Sequence, residues 1–168
     1  DGILALQKLG QEKGFEVDTT ENSLYFVEDS LRNYSAIVFL NTTGDVLTHR
    51  QQKEFERYIQ AGGGFVGIHS ATDTEYSWPW FGELAGAYFN GHPAIAEATL
   101  NVVDKNHPST EMLPDKWERT DEWYNFNQSP RDAVRVLTNL DETSYNPGGN
   151  AMGADHPLSW CHNFESAR

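Results

Sequence analysis

Residues 62–71, GGGFVGIHSA, decide the fold. Three glycines halt whatever precedes them. The apolar run 65–68 has the length and composition of a buried strand, and it ends in His69. Gly67 stands before that histidine, and Ser70 and Ala71 after it. Small residues around one functional side chain are what a sharp turn at the carboxyl end of a strand requires, because the backbone there is crowded. Such a turn lifts its side chain above the sheet edge, where open α/β folds place ligands. Serine or cysteine usually occupies that position. A histidine there serves as general acid or base near neutral pH, or as a metal ligand. A helix starting just beyond it would favour the neutral imidazole. The competing reading of the same spacing is a buried histidine bonded to backbone. The polar segment SATDTE (70–75) adds Ser70, Thr72 and Asp73 as substrate-binding candidates.

Upstream, LTHRQQKEFERYIQAGGG (47–64) predicts a helix. Thr48 and Gln51 fit a capping box, and Phe55, Tyr58 and Ile59 fall at helical spacing. SAIVFL (35–40) is a continuous apolar run, suited to a parallel strand covered on both faces. Strand, helix and strand joined by short links make a βαβ unit. Residues 2–13 predict a helix closed by Gly14, and FEVDTT (15–20) a strand. Beyond His69, residues 77–89 predict a short helix capped by Ser77. Strands are expected at 97–103, 133–140 and 157–164, with a Gly-rich surface loop at 142–156. The pattern is that of one domain over 1–168, a three-layer α/β sandwich with a mainly parallel sheet. Parallel sheets usually open on a strand, whereas this chain opens on a helix and stops directly after an apparent strand. An N-terminal strand and one or more C-terminal strands are therefore expected to be missing.

The net charge is −13, from 12 Lys and Arg against 25 Asp and Glu. That balance argues against nucleic acid, whose phosphates demand clustered cations, and against anionic membranes. No apolar run approaches the ~20 residues of a membrane span, so membrane insertion is not expected. Cys161 is the single cysteine, which rules out an intrachain disulfide and leaves the compartment open among cytoplasm, periplasm and exterior.

Two further segments carry chemistry. RTDEWYNF (119–126) sets Asp121 and Glu122 beside Trp123 and Tyr124. Carboxylates next to aromatic rings suit sugars: rings stack on pyranose faces, and carboxylates bind hydroxyls or move protons. The two acids are adjacent and would point to opposite faces of an extended segment, so they are poor mutual partners. DHPLSWCHNF (155–164) offers His156, free at a loop end, and His162, on a strand face with Leu158 and Trp160. His92 and His107 each precede proline and read as turn residues. No sequence motif for a metal is present. A divalent cation such as zinc would need scattered ligands, with His69, Glu122 and His156 as candidates.

Taken in order, GGGFVGIHSATDTEYSWPWFGELAGAYFNGHP, DKNHPST, RTDEWYNF and DHPLSWCHNF resemble the ThuA-like family, named for trehalose utilisation. The resemblance implies a flavodoxin-like sandwich of the class I glutamine amidotransferase type. His69 stands where those enzymes carry their cysteine, so thiolate glutamine hydrolysis is not expected. It implies carbohydrate catabolism, acting on disaccharides or keto-sugars, with His69 and Glu122 as the leading catalytic residues and Asp121 alongside. The family usually opens with a strand ending in a Gly-Phe-x-His-like segment. It closes on a Gly-Arg-Val-Phe-Tyr-like strand and a Gly-His, and neither is in this sequence. The expected partner is a small-molecule sugar. Two other readings compete with the enzyme. One is a non-catalytic sugar-binding or sensing domain. The other is a subunit-interaction domain or homo-oligomer built on the aromatic run Trp78, Trp80, Phe81.

Overall fold

The structure, a computed structural model, describes residues 1–166. Helices α1 (Gly2–Lys13) and α2 (Glu28–Leu31) precede strand β1 (Ala36–Leu40), helix α3 (His49–Gln60) and strand β2 (Gly64–Ile68). Helix α4 (Pro79–Ala85) comes next, then β3 (Phe89–Gly91), β4 (Ala96–Val102), β5 (Lys116–Asp121), β6 (Asn125–Phe126), β7 (Arg135–Asp141) and β8 (Pro157–Cys161).

The βαβ unit forms as its pattern predicts. β1 and β2 pair in parallel, from Ala36 opposite Gly64 to Leu40 opposite Ile68. Thr48 and Gln51 close both halves of a capping box on α3. That helix buries Gln51, Gln52, Phe55, Tyr58 and Ile59, an i, i+1, i+4, i+7, i+8 stripe. Phe55 is wholly enclosed and stacks on Phe39 with ring centroids 5.5 Å apart. Burial of such a ring contributes about 1.5–3 kcal/mol. Gly63 is dictated by this packing, since a Cβ there would lie 2.2 Å from the Tyr58 ring.

The sheets depart from the sequence reading. Among the described residues β1–β2 is the only parallel strand pair, extended by one isolated parallel bridge between Gly44 and Thr74. The four-stranded sheet β5-β4-β7-β8 and the pair β3–β6 are antiparallel. A parallel return needs a crossover, usually helical, of a dozen or more residues. Between β4 and β5, and again between β7 and β8, the chain makes only turns and short 3-10 segments, so each strand comes back antiparallel to its neighbour. The alternation in β4, with Ala98, Leu100 and Val102 buried, is that of a sheet with one wet face. Val38 and Val66, paired across β1 and β2, stay 39% and 45% exposed, so this pair is not covered on both faces by the described residues. Residues 15–20 form no strand: they find no ladder partner among the described residues, and Phe15 remains exposed.

Two apolar clusters result. One gathers α3, β1 and α4 around Phe39, Phe55 and Phe81; the other packs Ala98, Leu100, Trp123 and Leu140. Trp78 and Phe81 belong to the first. Trp78 is 8% and Phe81 0% exposed, so the aromatic run read as an exposed contact surface is largely core. Trp78, not Ser77, caps α4. Among the described residues no helix is long and apolar enough to cross a membrane.

Candidate functional site

His69 ends β2 in the left-handed region, at φ +55°. An L-residue pays ~1–2 kcal/mol for that conformation, and the cramped surroundings explain the small neighbours. A Cβ on Gly67 would lie 3.1 Å from the Ala71 Cβ, and Ala71 is itself buried. The chain from His69 to Asp73 forms a five-residue 3-10 turn, not an α-helix, so no helix dipole acts on the imidazole.

A buried carboxylate fixes this turn. Glu75, at 0% exposure, accepts hydrogen bonds from the N–H groups of Val46 (2.9 Å) and Leu47 (2.7 Å) and from Gln52 Nε2 (2.7 Å). Three donors offset the desolvation of one carboxylate. They tie the segment after β1 to the segment after β2. The hydroxyls of Thr42 and Thr74 meet at 2.8 Å, and Thr43 bonds Asp73.

The opposite wall comes from β3 and β6, which pair with Gly91 opposite Asn125. This short ladder sets Phe89 and His92 beside Glu122 and Tyr124, against His69. His69 Nε2 lies 3.4 Å from Glu122 Oε2, and His92 Nε2 lies 4.0 Å from Glu122 Oε1. His69 Nδ1 is 3.4 Å from the Tyr124 hydroxyl, and the two rings lie 4.6 Å apart. Tyr124 also packs on Phe89, at 4.2 Å, and runs nearly parallel to His92, at 5.9 Å. Burial first, and the Glu122 charge second, raise the Tyr124 pKa, so its phenol keeps its proton at neutral pH. The His69, His92 and Glu122 side chains are 37%, 37% and 32% exposed, open enough to meet a ligand.

The structure thus joins His69, Glu122 and Tyr124, and it adds two residues that the sequence reading set aside. His92 reads as a turn residue by its Gly-His-Pro context; in the structure it follows β3 directly, outside any turn, and its ring enters the site. Phe89 carried no signal beyond its place two residues past a glycine–alanine pair.

Other candidates lie elsewhere. Asp121 is taken up by Arg119 and by the Glu122 N–H, at 3.0 Å for the latter. Trp123, read as a sugar platform, is 1% exposed in the second core, and its Nε1 donates to the Ala96 carbonyl at 2.7 Å. The irregular link between β5 and β6 turns it inward while Glu122 and Tyr124 face the site. Asp73 accepts from Tyr76 at 2.7 Å on the rim. The Ser70 carbonyl accepts from Thr74 at 3.1 Å, and the Thr72 hydroxyl lies 3.5 Å from the His69 carbonyl. His162 donates to the Leu84 carbonyl at 2.8 Å.

His156 is fully buried rather than free. Its Nδ1 meets Glu142 Oε1 at 2.8 Å, and its Nε2 donates to the Tyr124 carbonyl at 2.8 Å. With both nitrogens engaged it cannot join His69 and Glu122 around a cation. Among the described residues no group of three or more His, Cys, Asp or Glu is arranged to hold a metal ion.

Comparison with known proteins bears on this arrangement. The family model described as ThuA, trehalose utilisation, matches residues 1–168. A solved ThuA-like protein from Bacteroides uniformis is 30% identical, with a TM-score of 0.78 over 92% of this chain and 66% of its own. The chain thus spans just under two thirds of that protein's length. A ThuA-like protein from Parabacteroides merdae, 24% identical, shares the fold with a TM-score of 0.76 over 98% of this chain and 70% of its own. None of the curated proteins matches the chain.

Proposed function

The chain belongs to the ThuA (trehalose utilisation) family, and from that premise we propose that it serves carbohydrate catabolism as an enzyme acting on disaccharides or keto-sugars. The observation that carries this reading is the His69 imidazole at a strand-end elbow, 3.4 Å from the Glu122 carboxylate and open to ligand. An imidazole beside a carboxylate is an acid–base pair: the carboxylate steadies the imidazolium that forms when the ring takes a proton.

Next to a ketone the chemistry is concrete. His69 takes the proton from the carbon α to the carbonyl, and the C–H electron pair becomes an enolate. A proton delivered to the opposite face of that carbon epimerises the sugar; delivered to the former carbonyl carbon, with the α-hydroxyl proton passing to the former carbonyl oxygen, it isomerises it. Expelling an alkoxide from the β carbon cleaves the glycosidic bond, with the proton passing to the departing oxygen. The Tyr124 and Phe89 rings supply the apolar floor on which a pyranose face rests. The net charge of −13 suits a neutral substrate. We read residues 1–168 as one domain of a three-layer, flavodoxin-like sandwich. The parallel β1–β2 pair supports that reading, with its ligand-facing residue at the carboxyl end of a strand.

The test is turnover of trehalose, sucrose and their ring-oxidised keto forms by the full-length protein. His69→Ala and Glu122→Gln should each lower kcat by about 10²–10⁴-fold with binding nearly unchanged. Full activity in His69→Ala overturns the reading. Sugar binding without turnover in the wild-type protein would favour a binding module.

A further inference from the structure

We propose that the cavity beyond His92 is a second sugar subsite with the Asn125 side-chain amide as its hydroxyl-binding group, so that the site takes a ligand of two linked sugar units. This deepens the acid–base reading above and rests on it.

The cavity lies between residues 91–93 and residues 147–150, with Asn125 in its wall. It encloses about 180 Å³. That is less than a complete ligand pocket, about 300–1,000 Å³, and is the size of a subsite for a single sugar ring. Asn125 is 1% exposed, yet its Oδ1 is buried without a hydrogen-bond partner. Buried polar atoms are rarely left so, and each such case calls for a reason. A primary amide offers an acceptor and two donors that exchange places by a half-turn about χ2. It suits a sugar hydroxyl, which both donates and accepts. No cationic side chain lines the cavity, which fits a neutral ligand rather than a phosphate or carboxylate.

His92 joins this cavity to the His69–Glu122 pair. Its Nδ1 lies 2.8 Å from the Pro93 carbonyl, which only accepts, so Nδ1 carries a proton. In the neutral ring Nε2 is then an acceptor turned toward Glu122. Because His92 also lines the cavity, the link between two sugar units falls at this ring. One unit lies over Tyr124 and the other against Asn125. The far wall is bare backbone: a Cβ on Gly149 would meet nothing within 4 Å. Gly149 lines the cavity and accepts a larger side chain there without distorting the fold.

The experiment is calorimetric titration of the full-length protein with trehalose and with glucose, each also with one ring hydroxyl oxidised to a ketone. Asn125→Leu removes the amide, and Gly149→Val adds bulk to the opposite wall. Melting temperatures establish that each variant is folded. The wild-type protein should bind the disaccharide at least tenfold more tightly than the monosaccharide. Each variant should lose about tenfold in disaccharide affinity, with monosaccharide affinity kept within twofold. Equal wild-type affinity for one and two units, or an unchanged disaccharide preference in both variants, overturns the subsite while the acid–base reading stands. If the wild-type protein binds neither sugar, both fall.

Discussion

His69 holds its place at a cost in backbone energy, and that cost can be measured separately from its chemistry. Replacing it with alanine or with glycine removes the same imidazole, but only glycine relaxes at φ +55°. His69→Gly should therefore be more stable than His69→Ala by about 1 kcal/mol in urea denaturation, while both lose turnover. Equal stabilities would mean that the elbow stores no strain. The same crowding predicts that Gly67→Val costs about 1–3 kcal/mol, since even its first carbon would stand 3.1 Å from Ala71. These positions were legible because steric need leaves a mark in composition: small residues around one large polar one. His92 left no such mark, since histidine before proline serves a turn equally well. Trp123 and His156 misled in the opposite direction. A ring beside carboxylates, or an imidazole at a loop end, looks available until the core or a buried acceptor claims it.

At the scale of elements, the Gly-rich segment between β7 and β8 gets its order from a buried strap rather than from its own propensities. Glu142 accepts from the N–H groups of Met152 and Gly153, both at 2.7 Å, and from His156, whose other nitrogen donates to the Tyr124 carbonyl. The carbonyl only accepts, so Nε2 must carry a hydrogen, and a second hydrogen lies between Nδ1 and the carboxyl group. The strap thus connects one wall of the cavity to the link before β6 that carries Tyr124. His156→Ala removes one partner of an enclosed pair and should destabilise the fold by about 3 kcal/mol. It should also speed amide exchange at Met152 and Gly153 and perturb the Tyr124 ring signals. Unchanged exchange at those two amides would show that the loop stands without the strap. Sequence alone resolved β1, α3 and β2 because each has a strong period and clear stops. It did not resolve strand direction elsewhere. Antiparallel pairing is set by how the connections return, and neither the long loop after β7 nor the turns after β4 announce their course.

For the whole molecule, the titrating groups fix a pH window for stability. Hydrogen bonds from Arg135 to Asp104 and from Arg131 to Asp155 hold both carboxyls below their usual range. Their contribution is complete above the unfolded value of about 3.9 and is lost as pH falls through the lowered folded values. Burial acts oppositely on the phenols. It raises Tyr58, Tyr76 and Tyr88, and with the Glu142 charge it pushes Tyr145 up to about 12. For a raised group the contribution is complete below the unfolded value of about 10 and is lost as pH climbs toward the folded value. The melting temperature, measured from pH 2 to 11.5, should therefore be flat near neutrality and fall at both ends. The acid pairs lie at the surface, where solvent screens them, so their limb should be shallow and weaken further in salt. Tyr58, Tyr88 and Tyr145 sit in or beside the cores and Tyr76 at the more exposed rim of the site, so the alkaline limb should be steeper and less sensitive to salt than the acid one. Tyr76→Phe isolates one of them: its phenol donates toward Asp73 and the Phe89 carbonyl at the rim of the site. That variant should lose some stability at pH 7 and fall less steeply above pH 10. If its alkaline limb instead matches the wild type, the Tyr76 phenol has no part in setting the upper boundary.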